Sequence, residues 1–446
     1  MHIVSLGCAK NTVDSDSMQQ LLARAGYQLC DQPRQAEVII VNTCGFIGPA
    51  KAESIQVLNE LAAAKRRGQL LVAAGCLSQR YGAGLAQSVP GLDGVLGTRR
   101  WMDIVEVVER LRARRAPEPL YHLPSAAATV GGDEHGALRA AVQGGSAYLK
   151  IADGCRRPCA FCAIPLIKGT AVSRPPEVIA AEARELAARG CREIILIAQD
   201  TTDYGYDLGL PDGLPGLLEQ ITQAAPDLSW LRVMYAYPGS LSPRLIDRMA
   251  SLPQVLHYLD LPLQHAHPAT LRRMRRPADT GRVCETLARM RAAMPDIAVR
   301  STFIVGYPGE TEEEFQALLD FVGEVRFDRV GVFTYSAEED TPAAALDNPV
   351  AEELKLERRE RLMRLQQRIS LEKNEAWVGQ TLPVLIEGQG QGVSVGRSFR
   401  DAPEIDGLVI VEGTAPVGEI VPVTVTGAMV YDLSGKLSQR SPVLAR

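Results

Sequence analysis

No stretch of about 18 apolar residues, the length a membrane-spanning helix needs, occurs anywhere in the 446 residues. The start, MHIVSLGC, has neither the basic stretch nor the long apolar core of a secretory leader. A cytoplasmic protein with no membrane partner is therefore expected. Lysine is scarce: 40 of the 48 basic residues are arginine. The net charge of −5 excludes a chain built as a whole to coat polyanions. Cysteines number nine, few and odd, so a disulfide framework is excluded in favour of metal ligands, reactive thiols or buried apolar residues. What is present is ordinary. Apolar residues make up 46% and charged residues 23%, which rules out wholesale disorder. The length allows about three domains.

Residues 1–112 alternate apolar runs (His2–Leu6, Glu37–Val41, Leu70–Ala74) with helical patterns. Met18, Leu21, Leu22 and Ala25 fall at helical spacing, fronted by Asp14 or Ser15 and stopped by Gly26. That alternation predicts an α/β domain with a doubly wound parallel sheet. Residues 113–146, rich in Pro, Gly, Ala and Ser, read as a linker with room for a short hairpin. Residues 147–376 form the next unit. Its strands are expected at Tyr148–Ala152, Glu193–Ala198, Trp230–Tyr235, Tyr258–Pro262, Ala298–Val305 and Arg329–Phe333. Six strand-helix units fall short of the roughly 250 residues of an eight-unit barrel, so an open six-unit β/α partial barrel is predicted. Its last helix, 350–376, places Leu362, Leu365 and Ile369 on one face and the pairs Glu357/Arg361 and Glu360/Arg364 on the other. Residues 377–446 hold short β-type runs at Leu382–Ile386, Gly407–Val411 and Ile420–Thr426. They predict a small five-stranded barrel of the oligonucleotide-fold kind.

The sharpest local pattern is Cys155-Arg-Arg-Pro-Cys159-Ala-Phe-Cys162, directly after the first strand of the central unit. Three thiolates on one such loop can wrap a face of a four-iron cube and leave one iron open. Structural zinc, the rival, requires four ligands. A second set is spread through the N-terminal unit, where Cys8, Cys44 and Cys76 each follow an apolar run. In a parallel sheet all three strand ends share one edge, where α/β sheets bind ligands. Gly7, Gly45 and Gly75 beside them would allow close approach of a bulky group. Cys30, Cys191 and Cys284 have no partners at ligand spacing and read as structural thiols.

CxxxCxxC on the first loop of a partial β/α barrel resembles the radical S-adenosylmethionine (SAM) enzymes. In those enzymes the open iron chelates SAM, and the reduced cluster splits it to release a 5′-deoxyadenosyl radical. Two open clusters followed by a small β module resemble the methylthiotransferases of that superfamily, along essentially the whole chain. The likeness is carried by SLGCAKNTVDSD (Ser5–Asp16), VNTCGFIGPAKAES (Val41–Ser54), YLKIADGCRRPCAFCAIP (Tyr148–Pro165), SRP (Ser173–Pro175), LPLQHAHP (Leu261–Pro268) and RSTFIVGYPGET (Arg300–Thr311). SLGCxKNxVDS and NTCGFI look like the branch acting on the small-subunit ribosomal protein S12. Ala9 and Lys168 stand where that group often has Pro and Arg.

The resemblance implies two 4Fe-4S clusters, held by Cys155, Cys159 and Cys162 and by Cys8, Cys44 and Cys76. It also implies SAM as methyl and radical source and a TRAM-like terminal module. The reaction implied is methylthiolation of an aspartate β-carbon in S12, free or in the ribosome, giving 3-methylthioaspartate. A sulfur donor and an electron donor are implied partners, and tRNA is disfavoured. Two alternatives stay open: methylthiolation of a tRNA adenosine, and a non-catalytic iron–sulfur RNA-binding protein.

No catalytic side chain is assigned beyond the clusters. Gln199 and Asp200 end the second barrel strand, where barrel enzymes place functional groups, although Asp200 also suits a cap. Gln264 and His265 end the fourth strand and suit either pocket lining or local hydrogen bonds. By resemblance, Arg300, Ser301 and Gly306 border SAM. Phe161 either shields the cluster or touches adenine. Glu310 opens an acidic helix start, which accounts for it structurally. The terminal module carries seven acids against Arg397 and Arg400 between Gln380 and Leu433, which predicts steering of a basic protein surface.

Overall fold

The computed structural model describes residues 1–114, 118–124 and 135–438. Its N-terminal sheet has five parallel strands: β1 (His2–Ser5), β2 (Val38–Thr43), β3 (Leu70–Gly75), β4 (Gly94–Gly97) and β5 (Leu120–His122). They lie side by side in chain order without reversal. Helices cover both faces, so β2 is buried along its whole length and reads as a continuous apolar run. Met18 and Leu22 of helix Ala9–Arg24 pack with Val107 and Val108 of helix Ile104–Ala113 on one face. Leu58, Leu77 and Leu85 cover the other.

The stretch read as a linker contributes to both neighbouring sheets. β5 completes the first one, and β6 (Ala140–Gln143) forms an antiparallel hairpin with β7 (Ser146–Lys150). Positions 115–117 and 125–134 of that stretch lie outside the described residues. A short ribbon, β8 (Ala152–Asp153) with β9 (Val172–Ser173), follows β7. Then come β10 (Glu193–Ile197), β11 (Trp230–Val233), β12 (Val255–Asp260), β13 (Ala298–Val305) and β14 (Arg329–Thr334). With β7 they make six parallel strands of an open sheet. All six expected strands are present, with ends shifted by a few residues.

Helices pack on the outside of this partial barrel through residues such as Ile179, Leu218, Met249 and Phe315. Its inner face carries Tyr148, Ile195, Trp230 and Tyr258, which pack with Phe399 and Ala402 of the terminal module. That module is a closed barrel of β15 (Thr381–Gly390), β16 (Val393–Ser398), β17 (Val409–Glu412), β18 (Ile420–Ala428) and β19 (Leu433–Leu437). Helix Glu352–Glu375 leads into it, with Leu362 and Ile369 buried as its periodicity predicts.

Much of the module's acidic excess serves docking. Asp401 pairs with Arg329 at 2.6 Å, and Asp406 accepts the Tyr258 hydroxyl at 2.6 Å. Glu419 pairs with Arg192 at 2.9 Å, while Glu387 is matched inside the module by Arg397 at 2.8 Å. Glu404 and Glu412 are exposed. Counting charges along the sequence therefore overstated the acidity offered to a partner. Among the described residues, no helix is long and apolar enough to cross a membrane.

Candidate active site between two cysteine triads

Cys8, Cys44 and Cys76 follow the carboxyl ends of β1, β2 and β3 within three residues, and those strands are adjacent and in register. Asn11 ties the edge together. Its Nδ2 donates to the carbonyls of Leu6 (2.9 Å) and Thr43 (3.1 Å), and its Oδ1 lies 3.7 Å from Cys76 Sγ. Asn42 Nδ2 donates back to the Asn11 carbonyl at 2.8 Å and to Ser15 Oγ at 2.9 Å. Ser54 Oγ accepts from the Cys44 N–H at 3.0 Å and donates to the Cys44 carbonyl at 2.9 Å. The polar residues of both N-terminal motifs thus fix the three thiols relative to one another. Gly75 has φ +97°, and a Cβ there would lie 2.4 Å from Asn42 Oδ1. It lets the ends of β2 and β3 close on each other; the neighbour it admits is protein, not a bound group.

The second triad sits on the loop that joins β8 to β9. The loop begins at Gly154, where φ is +79° and a Cβ would fall 2.0 Å from the Thr170 carbonyl oxygen. Only glycine fits. The Cys155 N–H donates to the Gly169 carbonyl at 3.0 Å and the Ala160 N–H to that of Met274 at 2.9 Å. Burial pushes the Cys155 thiol up to about 11 and those of Cys162 and Cys76 up to about 12. Cys8 goes the other way. Burial also opposes its thiolate, but the Lys10 ammonium and the Asn11 and Lys10 N–H groups outweigh it.

Both triads line one cavity of about 440 Å³ between the N-terminal sheet and the barrel. Lys10 Nζ stands 3.2 Å from the centre of the Tyr235 ring. Arg157 is held by Asp200 at 2.6 Å and Ser240 at 2.8 Å. It stacks on Tyr237 at 4.2 Å, with Arg276 against the same ring at 4.3 Å. Arg276 Nη1 also reaches within 3.7 Å of Cys159 Sγ. Among the described residues, no three Cys, His, Asp or Glu side chains converge on a single-ion site. Soft thiols spread around a shared volume, beside two guanidinium groups, suit anionic iron–sulfur centres.

Phe161, Gln199 and Gln264 are on the cavity wall. Gln199 Oε1 is buried without a hydrogen-bond partner among the described residues, an acceptor awaiting a donor. Gln264 has φ +76° and pairs with Phe303 through a backbone bridge. His265, Arg300, Ser301 and Gly306 are placed elsewhere. His265 is buried, its Nδ1 accepts from the His267 N–H at 2.9 Å, and burial pushes its pKa down to about 3. Arg300 binds Asp260 at 2.9 Å and approaches Asp406 at 3.4 Å. Ser301 Oγ donates to the Leu261 carbonyl at 2.9 Å. Gly306 abuts the Lys355 side chain. Lys10, Asn11, Arg157, Tyr235, Tyr237 and Arg276 line the cavity without having been singled out in the sequence. The first three sit inside the cysteine motifs, where adjacency was the available signal.

Asp14, from the same motif as Cys8, joins the two units. It pairs with Arg139 at 2.7 Å, Lys150 at 2.5 Å and Lys168 at 3.1 Å, while Asp153 meets Lys150 and Lys168 at 3.2 and 3.3 Å. All five side chains are at most 3% exposed. Lys168 is thus spent between two carboxylates.

The family model of the radical SAM superfamily matches residues 149–322, that of uncharacterized protein family UPF0004 residues 1–97, and that of the TRAM domain residues 378–437. Among solved structures, the radical S-adenosylmethionine methyltransferase TsrM of Kitasatospora setae superposes with a TM-score of 0.56 at 15% identity. The match covers 88% of this chain and 80% of that one, and the likeness is one of fold. Curated relatives are much nearer. The ribosomal protein uS12 methylthiotransferase RimO of Chloroflexus aurantiacus is 53% identical across 98% of this chain and 99% of its own. Its namesake in Roseiflexus castenholzii is 50% identical across 98% and 95%, and that of Synechocystis is 46% identical across 98% and 97%. Agreement at that level extends from the first cysteine motif through the terminal barrel, so what is shared is the whole assembly and not one domain: the chain belongs to the uS12 methylthiotransferase family of radical SAM enzymes.

Proposed function

We propose that this protein methylthiolates the β-carbon of an aspartate in ribosomal protein S12, giving 3-methylthioaspartate. One observation carries the reading: both cysteine triads face a single cavity. A radical made at one centre and sulfur presented at another must meet at one substrate atom, and proximity of this kind supplies much of such a rate.

Residues 1–112 would carry the auxiliary 4Fe-4S cluster on Cys8, Cys44 and Cys76. Residues 147–376, after the 113–146 linker, would carry the SAM-binding cluster on Cys155, Cys159 and Cys162. Residues 377–446 would form the TRAM-like module. When bound, the clusters and SAM supply electron transfer, the hydrogen-abstracting radical and the sulfur and methyl groups. The chain's own side chains bind and orient. Arg157 and Arg276 offset the negative charge of the second triad. The orphaned Gln199 Oε1 would accept a hydrogen bond from the bound cofactor, and Phe161 would shield the cavity from water. S12 is the substrate, with a sulfur donor and an electron donor as further partners, and the setting is the cytoplasm.

The test is anaerobic reaction of the reconstituted protein with S12, SAM and dithionite. Wild type should add one CH2S unit to S12, read by mass spectrometry. Replacing Cys8, Cys44 and Cys76 with Ala should preserve 5′-deoxyadenosine release and abolish the methylthio product. Replacing Cys155, Cys159 and Cys162 should abolish both. Reductive SAM cleavage by the latter variant would refute the assignment.

A further inference from the structure

At the opposite end of the N-terminal sheet from the cysteines lies a groove of about 750 Å³. Its floor is apolar, formed by Ala36, Val38, Leu70 and Leu111. Its rim is arginine: Arg66 and Arg67 from the turn before β3, and Arg112 and Arg114 from the end of helix Ile104–Ala113. The single carboxylate there, Glu37, pairs with Arg112 at 3.1 Å. The lining therefore carries four positive charges and one negative, a local excess of three, in a chain whose net charge is −5.

Elsewhere, some exposed arginines are matched by carboxylates, as in Arg110–Glu106, Arg189–Glu185 and Arg326–Glu372, and others, such as Arg289 and Arg368, stand singly on a helix face; in the groove four share one concavity. Arg67 and Arg114 are exposed, and neither has an ion-pair partner among the described residues. Holding several like charges around one concavity is unfavourable unless an anion spends time there. Guanidinium forks match phosphate oxygens in particular.

We propose that this groove binds the phosphate backbone of RNA. The inference rests on the S12 reading, since that substrate resides in an RNA–protein particle. It adds that the enzyme grips the particle's RNA as well as its protein. The groove lies at the Val38 end of β2 and Cys44 just beyond the other end, so six residues, roughly 20 Å at the rise of a strand, separate them. Bound RNA would thus dock the enzyme without entering the reaction cavity. On the terminal barrel the exposed Glu404 and Glu412 face solvent, while Arg397 and Arg400 are buried, which makes that module the poorer RNA contact.

The experiment measures binding of reconstituted protein to purified small ribosomal subunits and to naked small-subunit RNA, across salt concentrations. It compares wild type with the triple variant Arg66→Glu, Arg67→Glu, Arg114→Glu. The variant should bind both at least about tenfold more weakly at low salt. Its slope of log affinity against log salt should be shallower by about 2, as expected for three lost phosphate contacts. Methylthiolation of free S12 should be unchanged, which reports on folding. Unchanged affinity and slope would overturn the proposal. So would wild-type binding to vesicles of equal parts phosphatidylglycerol and phosphatidylcholine with none to RNA. Failure of wild type to modify free S12 would count against the S12 reading alone, because the RNA measurement stands apart from it.

Discussion

Asn11 shows how much of the site is decided by single side chains. It is 1% exposed, and its amide joins the loops after β1 and β2 and reaches Cys76. Replacing it with Ala leaves the buried Thr43 carbonyl and the half-buried Leu6 carbonyl short of a donor, a loss of about 1–3 kcal/mol for the buried one, concentrated where the three thiols must hold their spacing. Asn11→Ala should retain about four of about eight irons per chain, release 5′-deoxyadenosine normally and yield little methylthio product. Iron analysis of the anaerobically reconstituted variant decides it, and a full complement would show that Asn11 is dispensable. That the six cysteines would gather was legible, for Cys155, Cys159 and Cys162 from their spacing and for Cys8, Cys44 and Cys76 from their place after three apolar runs. Their supports were not. Tyr235, Tyr237 and Arg276 come from distant segments and belong to no pattern, and their role appears only once the barrel closes around the cavity. Arg300 shows the ambiguity of a strand end, which looks functional whether its side chain faces a pocket or, as here, a neighbouring carboxylate.

At the scale of elements, apolar runs located β1 to β3 and the six parallel strands of the barrel, because strands covered on both faces must be apolar throughout; β4 and β5, four and three residues long, were too short to form such a run. The barrel strands β16 and β19 escaped notice. VSVGRS and LSGKL are short and mix Gly, Ser and charge, and they are defined by pairing with neighbours, not by their own composition. Docking of that barrel rests on charge that no local pattern reveals. Glu193 on β10 accepts from Arg232 Nε at 2.7 Å and from Arg397 Nη2 at 2.6 Å, and Ser146 Oγ donates to it at 2.8 Å. Burial disfavours its ionised form, yet the two guanidinium groups prevail and hold its pKa at about 2, against an ordinary 4.5. Below about 4.5 the unfolded chain binds the proton that the folded chain refuses. The contribution, about 3 kcal/mol, is therefore full above that pH and is lost as pH falls toward about 2. Glu193→Gln should lower thermal stability at neutral pH and flatten the acid limb of the stability profile. An unchanged acid limb in calorimetry would show that this carboxylate does not govern docking.

For the molecule as a whole, function on this reading depends on how precisely the N-terminal sheet and the barrel face each other. Besides the Asp14 cluster, a second largely buried contact latches the two units. Glu338, just beyond β14, pairs with Arg80 at 2.7 Å, and its other oxygen accepts from the Gly48 N–H at 2.9 Å. Arg80 in turn donates to the carbonyls of Gly45 and Glu339 at 3.0 and 2.9 Å. The carboxylate also sits at the amino end of helix Gly48–Ala63, where negative charge is favourable. Barrel and N-terminal sheet are thus joined within a few residues of Cys44. Glu338→Gln preserves the shape and removes the charge that holds Arg80 and the helix end, so the Cys44 loop gains freedom relative to the second triad. On the proposed assignment the radical centre belongs to the barrel alone, so 5′-deoxyadenosine formation should stay within about twofold of wild type. Sulfur transfer needs both units in register, and a displacement near 1 Å can cost up to about a hundredfold. The expected signature is uncoupling: 5′-deoxyadenosine continues to form while methylthio product per radical falls by about tenfold. A variant in which the two fall together, or neither falls, would place the control of register in the Asp14 cluster and not in this latch.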